Sequence, residues 1–115
     1  MSRSFGDAAA KTSGLHGHSK VIIAEPEITS FRITSECDFI VMASDGVFDV
    51  MTSQDVVKYA ANAFKYEAGA SPHSLCTEAA ARIVQVAMYR KSQDNLTAVV
   101  IALGARRGRS SRIAL

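Results

Sequence analysis

The chain has 115 residues, 48% of them hydrophobic and 21% charged, and its 13 basic and 11 acidic side chains leave a formal net charge of +2. That is the size and make-up of one small globular domain with modest stability to spare. The charge is too small to argue for a nucleic-acid or membrane partner, and no apolar run nears the ~20 residues of a membrane-crossing helix.

The chain opens on Ser2-Arg3-Ser4-Phe5-Gly6-Asp7, a strand end or turn in which Arg3 and Asp7 flank Gly6. Taken alone, this is a surface ion pair or a turn cap, which contributes little to stability. Residues 8–20 hold Gly14, His16, Gly17 and His18 and are expected to form an exposed loop. The two histidines read as solvated, since nothing nearby supplies the softer partners of a zinc-type site. Residues 21–24 are a short apolar strand, interrupted at Glu25-Pro26 because proline cannot donate to a ladder. The β-branched and aromatic content of residues 28–34 predicts a further strand. A turn at residues 35–38 then leads into the next apolar run, giving an antiparallel strand–turn–strand unit.

That run, Phe39-Ile40-Val41-Met42-Ala43, has the length and bulk of a buried strand and stops abruptly at Ser44-Asp45-Gly46. An acid at the end of such a strand has a rigid support, and a neighbouring glycine permits a sharp turn and close approach. Asp45 placed this way suits a hard cation such as Mg²⁺ or Mn²⁺. The alternative is an ordinary Asp-Gly turn. Asp49 follows four positions later.

Thr52 with Asp55 fits a capping box for a helix running to about Ala68, striped by Val56, Val57, Ala60, Ala61 and Phe64 and ended by Gly69. Ser71-Pro72 starts a second helix, whose stripe is Leu75, Ala79, Ile83 and Val86, widened by Ala80, Val84 and Ala87. Both helices are expected to lie against a sheet. Residues 90–93 form a polar loop, Asp94-Asn95 ends it, and residues 96–103 make a final strand that alternates little and so should be buried. Gly104 closes it, and residues 105–115 form a basic, flexible tail. Cys37 and Cys76 show no CxxC spacing, and no secretory leader is legible. Both therefore read as reduced, in an intracellular protein, cytoplasmic or nuclear.

Asp45 and Asp94 stand 49 positions apart, enough to sit on different strands. If both strands end at one edge, the two carboxylates converge on one or two metal ions, a site suited to hydrolysing a phosphate monoester.

Four segments in order carry a resemblance: Arg3-x-x-Gly6-Asp7, then Glu25-Pro26-Glu27-Ile28, then the apolar strand ending in Asp45-Gly46 with Phe48 and Asp49, then Asp94-Asn95 leading into a last strand. Together they resemble the metal-dependent protein serine/threonine phosphatases of the PPM type, also called type 2C. The resemblance covers residues 1–104 and only the C-terminal half of the family's catalytic domain. It implies an α+β fold, part of a four-layer α-β-β-α sandwich of two antiparallel sheets with helices outside. It also implies hydrolysis of phosphoserine and phosphothreonine in protein substrates by a water activated on Mg²⁺ or Mn²⁺. By position, Asp45 and Asp94 match two metal-binding aspartates, and Asp49 matches the acid associated with a weaker third metal. Arg3, Gly6, Asp7, Gly46 and Asn95 then take structural or supporting roles, with Asn95 orienting Asp94. The family's N-terminal half carries an acidic metal-binding segment, an Asp-Gly-His-Gly segment and a phosphate-gripping arginine, and none of them is found here. In that family a hydrophobic residue commonly precedes the Ser-Arg pair, so the resemblance implies that Met1 is an internal methionine of a longer protein and the chain a fragment, a truncated gene model or a short isoform. The chain alone is expected to fold poorly, to self-associate or need a complementing partner, and to have little activity. The competing expectation is a regulatory or binding module that descends from a phosphatase and has lost catalysis.

Overall fold

The structure, a computed structural model, describes residues 3–66 and 70–103. The expected helix end at Ala68-Gly69, the closing Gly104, the tail at residues 105–115 and the expectation for Met1 lie outside the described residues. The chain divides into two compact units, Met1–Arg32 and Ile33–Leu115.

In the first unit, Asp7 adopts a left-handed conformation with φ 56° and caps a one-turn helix, α1 (Ala8–Lys11), by accepting from the Ala10 amide at 3.4 Å. A single 3₁₀ turn follows at Ser13–Leu15. Gly17 then passes so close to α1 that an added Cβ would overlap the Ala9 carbonyl oxygen. Residues 8–17 are thus partly helical, where an irregular loop was expected. Arg3 pairs with Ile23 in one isolated parallel bridge, supported by Ser4 N–H donating to the Ile23 carbonyl at 3.0 Å.

Neither of the early strands forms. Residues 21–24 contribute only the Ile23 bridge, and residues 28–34 have no regular structure. Ile28, Phe31 and Ile33 are 84%, 67% and 55% exposed. β-propensity is a preference for a half-buried, paired surface, and without a neighbouring strand it has nothing to act on. Pro26 removes one donor from this stretch as well.

The second unit packs helices against one face of a sheet built on β1 (Phe39–Ala43). Its partner is not residues 28–34 but β2 (Ala98–Ala102), antiparallel, in a register that runs from Phe39↔Ala102 to Ala43↔Ala98. Three helices lie between them in sequence: α2 (Asp45–Phe48), α3 (Ser53–Tyr66) and α4 (Pro72–Tyr89). The capping box at Thr52 and Asp55 is reciprocal. Each backbone amide donates to the other's side chain, at 3.1 and 3.3 Å. Ser71 caps α4 by accepting from the Ser74 amide at 3.1 Å, with Pro72 in the first turn.

The core is built from the helix stripes. Val56, Ala60 and Phe64 of α3 meet Leu75, Ala79, Ile83 and Ala87 of α4, and all are buried. The Phe64 ring stacks on Phe39 of β1 at 5.0 Å between centroids, an offset-stacking distance that adds to the area buried. Phe39, Val41 and Ala43 face this core together with Ala98, Val100 and Ala102. Period-2 alternation sends Ile40, Met42, Val99 and Ile101 to the opposite face. There Met42, Val99 and Ile101 remain 51%, 44% and 43% exposed. The last strand is therefore buried on one face only, contrary to the expectation from its unbroken apolar run. Helices cover one side of the sheet, and among the described residues of this unit none covers the other. The α+β class and antiparallel pairing expected from the sequence are present. No helix among the described residues is long and apolar enough to cross a membrane.

Candidate functional site

Antiparallel pairing puts the end of β1 and the start of β2 at one edge of the sheet. Ala43 and Ala98 form the last paired residues there. The Ser44 amide extends the ladder by one bond, donating to the Thr97 carbonyl at 3.0 Å. The Ser44 hydroxyl accepts from the Thr97 amide at 3.1 Å and donates to the Asn95 carbonyl at 2.9 Å. Asp45 follows immediately on one strand, and Asp94 precedes the other by four residues.

Asp45 opens α2, a single helical turn in place of the expected simple bend. The reason is local. Val47 and Gly46 must be buried against the core, and one turn of helix sends them inward while Asp45 and Asp49 stay exposed. Gly46 lies directly against the Asp94-Asn95 loop. A Cβ at Gly46 would fall 2.5 Å from the Asn95 carbonyl oxygen and 3.2 Å from the Asp94 Cβ. No side chain fits there, so glycine is required by space rather than by φ.

The two aspartates share one local arrangement. The Gly46 amide donates to Asp45 Oδ1 at 3.0 Å, and the Asn95 amide donates to Asp94 Oδ1 at 2.7 Å. Each bond fixes one oxygen of its carboxylate. Among the described residues the second oxygen of each has no hydrogen-bonding partner. Two exposed carboxylates on adjoining turns, each with a free oxygen, are hard donors of the kind Mg²⁺ and Mn²⁺ prefer.

Asp49 is the C-terminal cap of α2, its amide donating to the Asp45 carbonyl at 2.8 Å. Together with Val50, Lys91, Ser92, Gln93 and Asp94 it lines an open cavity of about 430 Å³. Asp49 and Asp94 thus border one space, while Asp45 is not among its lining residues. Among the described residues no three or more His, Cys, Asp or Glu side chains come together as a metal cage.

Arg3, Gly6 and Asp7 belong to the first unit. Arg3 pairs with Glu27 at 2.8 Å and donates from Nε to the Glu25 carbonyl at 3.0 Å. Gly6 has φ 69°, a conformation that favours glycine. His18 accepts from the Lys20 amide through Nδ1 at 3.2 Å.

Three site residues went unnoticed in the sequence. Ser44 ties the strand edge to Asn95 and Thr97, and Ser92 bridges the two aspartate turns, its hydroxyl donating to the Gly46 carbonyl at 2.7 Å. Arg90, the C-terminal cap of α4, donates to the Val50 carbonyl and to Asp55 Oδ2, both at 2.9 Å. The hydrogen bond from Arg90 holds the Asp55 carboxyl below its ordinary value of 3.8, helped by the Thr52 amide. A basic residue at the C-terminal cap of an amphipathic helix was the available signal for Arg90. A hydroxyl shortly before each aspartate was the signal for the serines.

The chain thus sets an Asp-Gly turn against an Asp-Asn loop at one edge of an antiparallel sheet in an α+β unit. Residues 1–96 match the family model for protein phosphatase 2C. The chain is similar to "Protein phosphatase 2C 57" of Arabidopsis thaliana, at 31% identity over 90% of this chain and 30% of that protein. It is also similar to "Probable protein phosphatase 2C 8" of Oryza sativa subsp. japonica, at 36% identity over 96% of this chain and 27% of that protein. A third relative is "Protein phosphatase 2C 77" of Arabidopsis thaliana, at 33% identity over 98% of this chain and 29% of that protein. The chain belongs to the protein phosphatase 2C family. It spans under a third of the length of these curated relatives.

Proposed function

We propose that this chain supplies one edge of the catalytic centre of a Mg²⁺- or Mn²⁺-dependent phosphatase acting on phosphoserine and phosphothreonine in proteins. Asp45 and Asp94 are the metal ligands in this reading, and Asp49 faces a further, weaker cation from the adjoining cavity. The observation that carries it is the cradle at Gly46, where a Cβ would meet Asn95 at 2.5 Å and Asp94 at 3.2 Å. That contact is what two distant aspartates need in order to serve one centre, and the donor set is all oxygen, which suits these hard cations.

When bound, such cations activate a water at neutral pH and offset negative charge on phosphoryl oxygens. The residues of this chain hold and orient. The Gly46 and Asn95 amides each pin one oxygen of a carboxylate and leave the other facing outward. Lys91 and Gln93 line the open cavity beside Asp94, where an ammonium and an amide suit the phosphate and backbone of an incoming phosphopeptide. Two carboxylates are few for a pair of Mg²⁺ ions, so waters and groups beyond the described residues complete the coordination.

The isolated chain is expected to have little activity and to require a complementing partner. The second reading is a non-catalytic regulatory or binding module derived from a phosphatase, with Asp45, Asp49 and Asp94 retained from an active parent. One experiment separates the two. The chain replaces the matching segment of the Arabidopsis relative protein phosphatase 2C 57, and hydrolysis of a phosphothreonine peptide is assayed with Mn²⁺ and with EDTA. The proposal expects Mn²⁺-dependent turnover, lost about 100-fold or more in Asp94→Asn, as removal of a ligand to a catalytic metal implies. A folded but inactive chimera, or one still active with both Asp45 and Asp94 changed to Asn, contradicts it.

A further inference from the structure

We propose that Ser92 is a positioning residue for the cation centre, a hydroxyl clamp that sets the spacing of Asp45 and Asp94. The inference rests on the reading of those two aspartates as metal ligands.

The Ser92 side chain touches both turns at once. Its hydroxyl donates to the Gly46 carbonyl at 2.7 Å, across 46 positions of sequence. The same oxygen accepts from the Asp94 amide at 3.5 Å. One atom therefore spans from the residue after Asp45 to Asp94 itself. The clamp is also anchored from behind. The Ser92 amide donates to the Ala87 carbonyl at 3.1 Å, and Ala87 is fully buried in the face of α4. A half-buried hydroxyl tied to a rigid helix end on one side and to both aspartate turns on the other fixes a distance between them. Ser44 ties the same edge differently. Its bonds run to Asn95 and Thr97 and extend the β1–β2 pairing, so it joins the strands, whereas Ser92 joins the two turns.

The spacing of two carboxylates matters most to a small cation. Mg²⁺ requires near-ideal octahedral geometry with oxygens at about 2.0–2.1 Å, while Ca²⁺ accepts flexible geometry at about 2.3–2.6 Å. A clamp that holds the carboxylates to a fixed separation therefore favours Mg²⁺ over Ca²⁺. Releasing it costs Mg²⁺ affinity more than Ca²⁺ affinity. Loss of folded protein lowers both affinities by the same factor and leaves their ratio unchanged, so the ratio isolates positioning from stability.

The test measures Mg²⁺ and Ca²⁺ affinities of the full chain, by displacement of Mn²⁺ followed by electron paramagnetic resonance, for wild type, Ser92→Ala, Ser92→Thr and Asp45→Asn. Partners that orient a metal ligand typically contribute about 10- to 100-fold in affinity. Ser92→Ala is expected to lose about tenfold in Mg²⁺ affinity and to lower the Mg²⁺/Ca²⁺ ratio about fivefold or more. Ser92→Thr, which keeps the hydroxyl, stays within about threefold of wild type in both. An unchanged ratio in Ser92→Ala overturns the clamp. If Ser92→Ala does not fold, Ser92→Thr decides: retention of the wild-type ratio supports the clamp and a fivefold fall overturns it. Asp45→Asn separates the two levels of the argument. If Asp45→Asn abolishes Mn²⁺ binding while Ser92→Ala binds as wild type, the clamp alone fails. If Asp45→Asn binds as wild type, or wild type binds no Mn²⁺, the reading of the aspartates fails and the clamp with it.

Discussion

Gly46 and Asn95, far apart in sequence, are in backbone contact: a Cβ on Gly46 would sit 2.5 Å from the Asn95 carbonyl oxygen. The neighbours of these two residues are Asp45 and Asp94, so this one contact joins the turns that carry the candidate ligands. Gly46→Ala forces backbone apart at a site with no room to yield. Overpacking of this kind costs about 1–3 kcal/mol, and the separation of the carboxylates should cost Mn²⁺ affinity beyond that. Urea unfolding and Mn²⁺ titration of Gly46→Ala check both, and an alanine variant that binds Mn²⁺ as wild type does would show that close approach is unnecessary.

Helix α4 carries the loop that holds Ser92 and Asp94, and its hold on the core is Ile83, fully buried between α3 and the sheet. Ile83→Ala leaves a cavity and should destabilise the fold by about 2–5 kcal/mol. The site itself is untouched, so Mn²⁺ affinity should fall only as the folded fraction falls. Denaturant melts run with and without saturating Mn²⁺ distinguish this from a direct effect on the site.

Arg90 links the end of α4 to the start of α3 through Asp55 and Val50. Its hydrogen bond depresses the Asp55 carboxyl below 3.8 in the folded chain. The stability from a depressed acid is fully present above the unfolded value and is lost as pH falls through the lower folded value. The pair is partly exposed, so the effect is small. Asp55→Asn should be less stable than wild type at neutral pH, and the gap should close on acidification below 3.8. Urea midpoints measured at several pH values test this; a gap that widens in acid has the wrong sign.

The outer face of the sheet presents Met42 opposite Val99 and Ile40 opposite Ile101, an apolar strip. Met42 and Val99 are 51% and 44% exposed, and such a face invites association. The isolated chain is expected to self-associate through it. Met42→Glu with Val99→Lys places opposite charges across the strand pair, which the pairing tolerates. Sedimentation velocity should show the double variant monomeric at concentrations where wild type associates. An unchanged distribution would direct attention to another surface.

The helices were legible from sequence because their signals are local: the Thr52/Asp55 box, Ser71-Pro72, and stripes at helical spacing that turn out to be the core. β1 was legible for the same reason. Its partner was not, because pairing depends on chain far away. Residues 28–34 have strand-like composition and no partner, while β2 pairs from the other end of the unit. That Gly46 lies against Asp94-Asn95 could be expected from sequence only on condition that both strands end at one edge, because the approach depends on that pairing. Ser92 and Arg90 were missed because their importance lies in contacts across 46 and 35 positions, which no local pattern records.

The most direct test of the central claim, that Asp45 and Asp94 hold one cation together, is a double-mutant cycle on Mn²⁺ affinity with Asp45→Asn, Asp94→Asn and the pair, read by isothermal titration calorimetry. Ligands of a shared ion are strongly coupled, so each single change should remove nearly all high-affinity binding and the double variant should be little worse than either. Single variants that each keep a wild-type-like site, or losses that simply add, would place the two carboxylates on separate ions or on none.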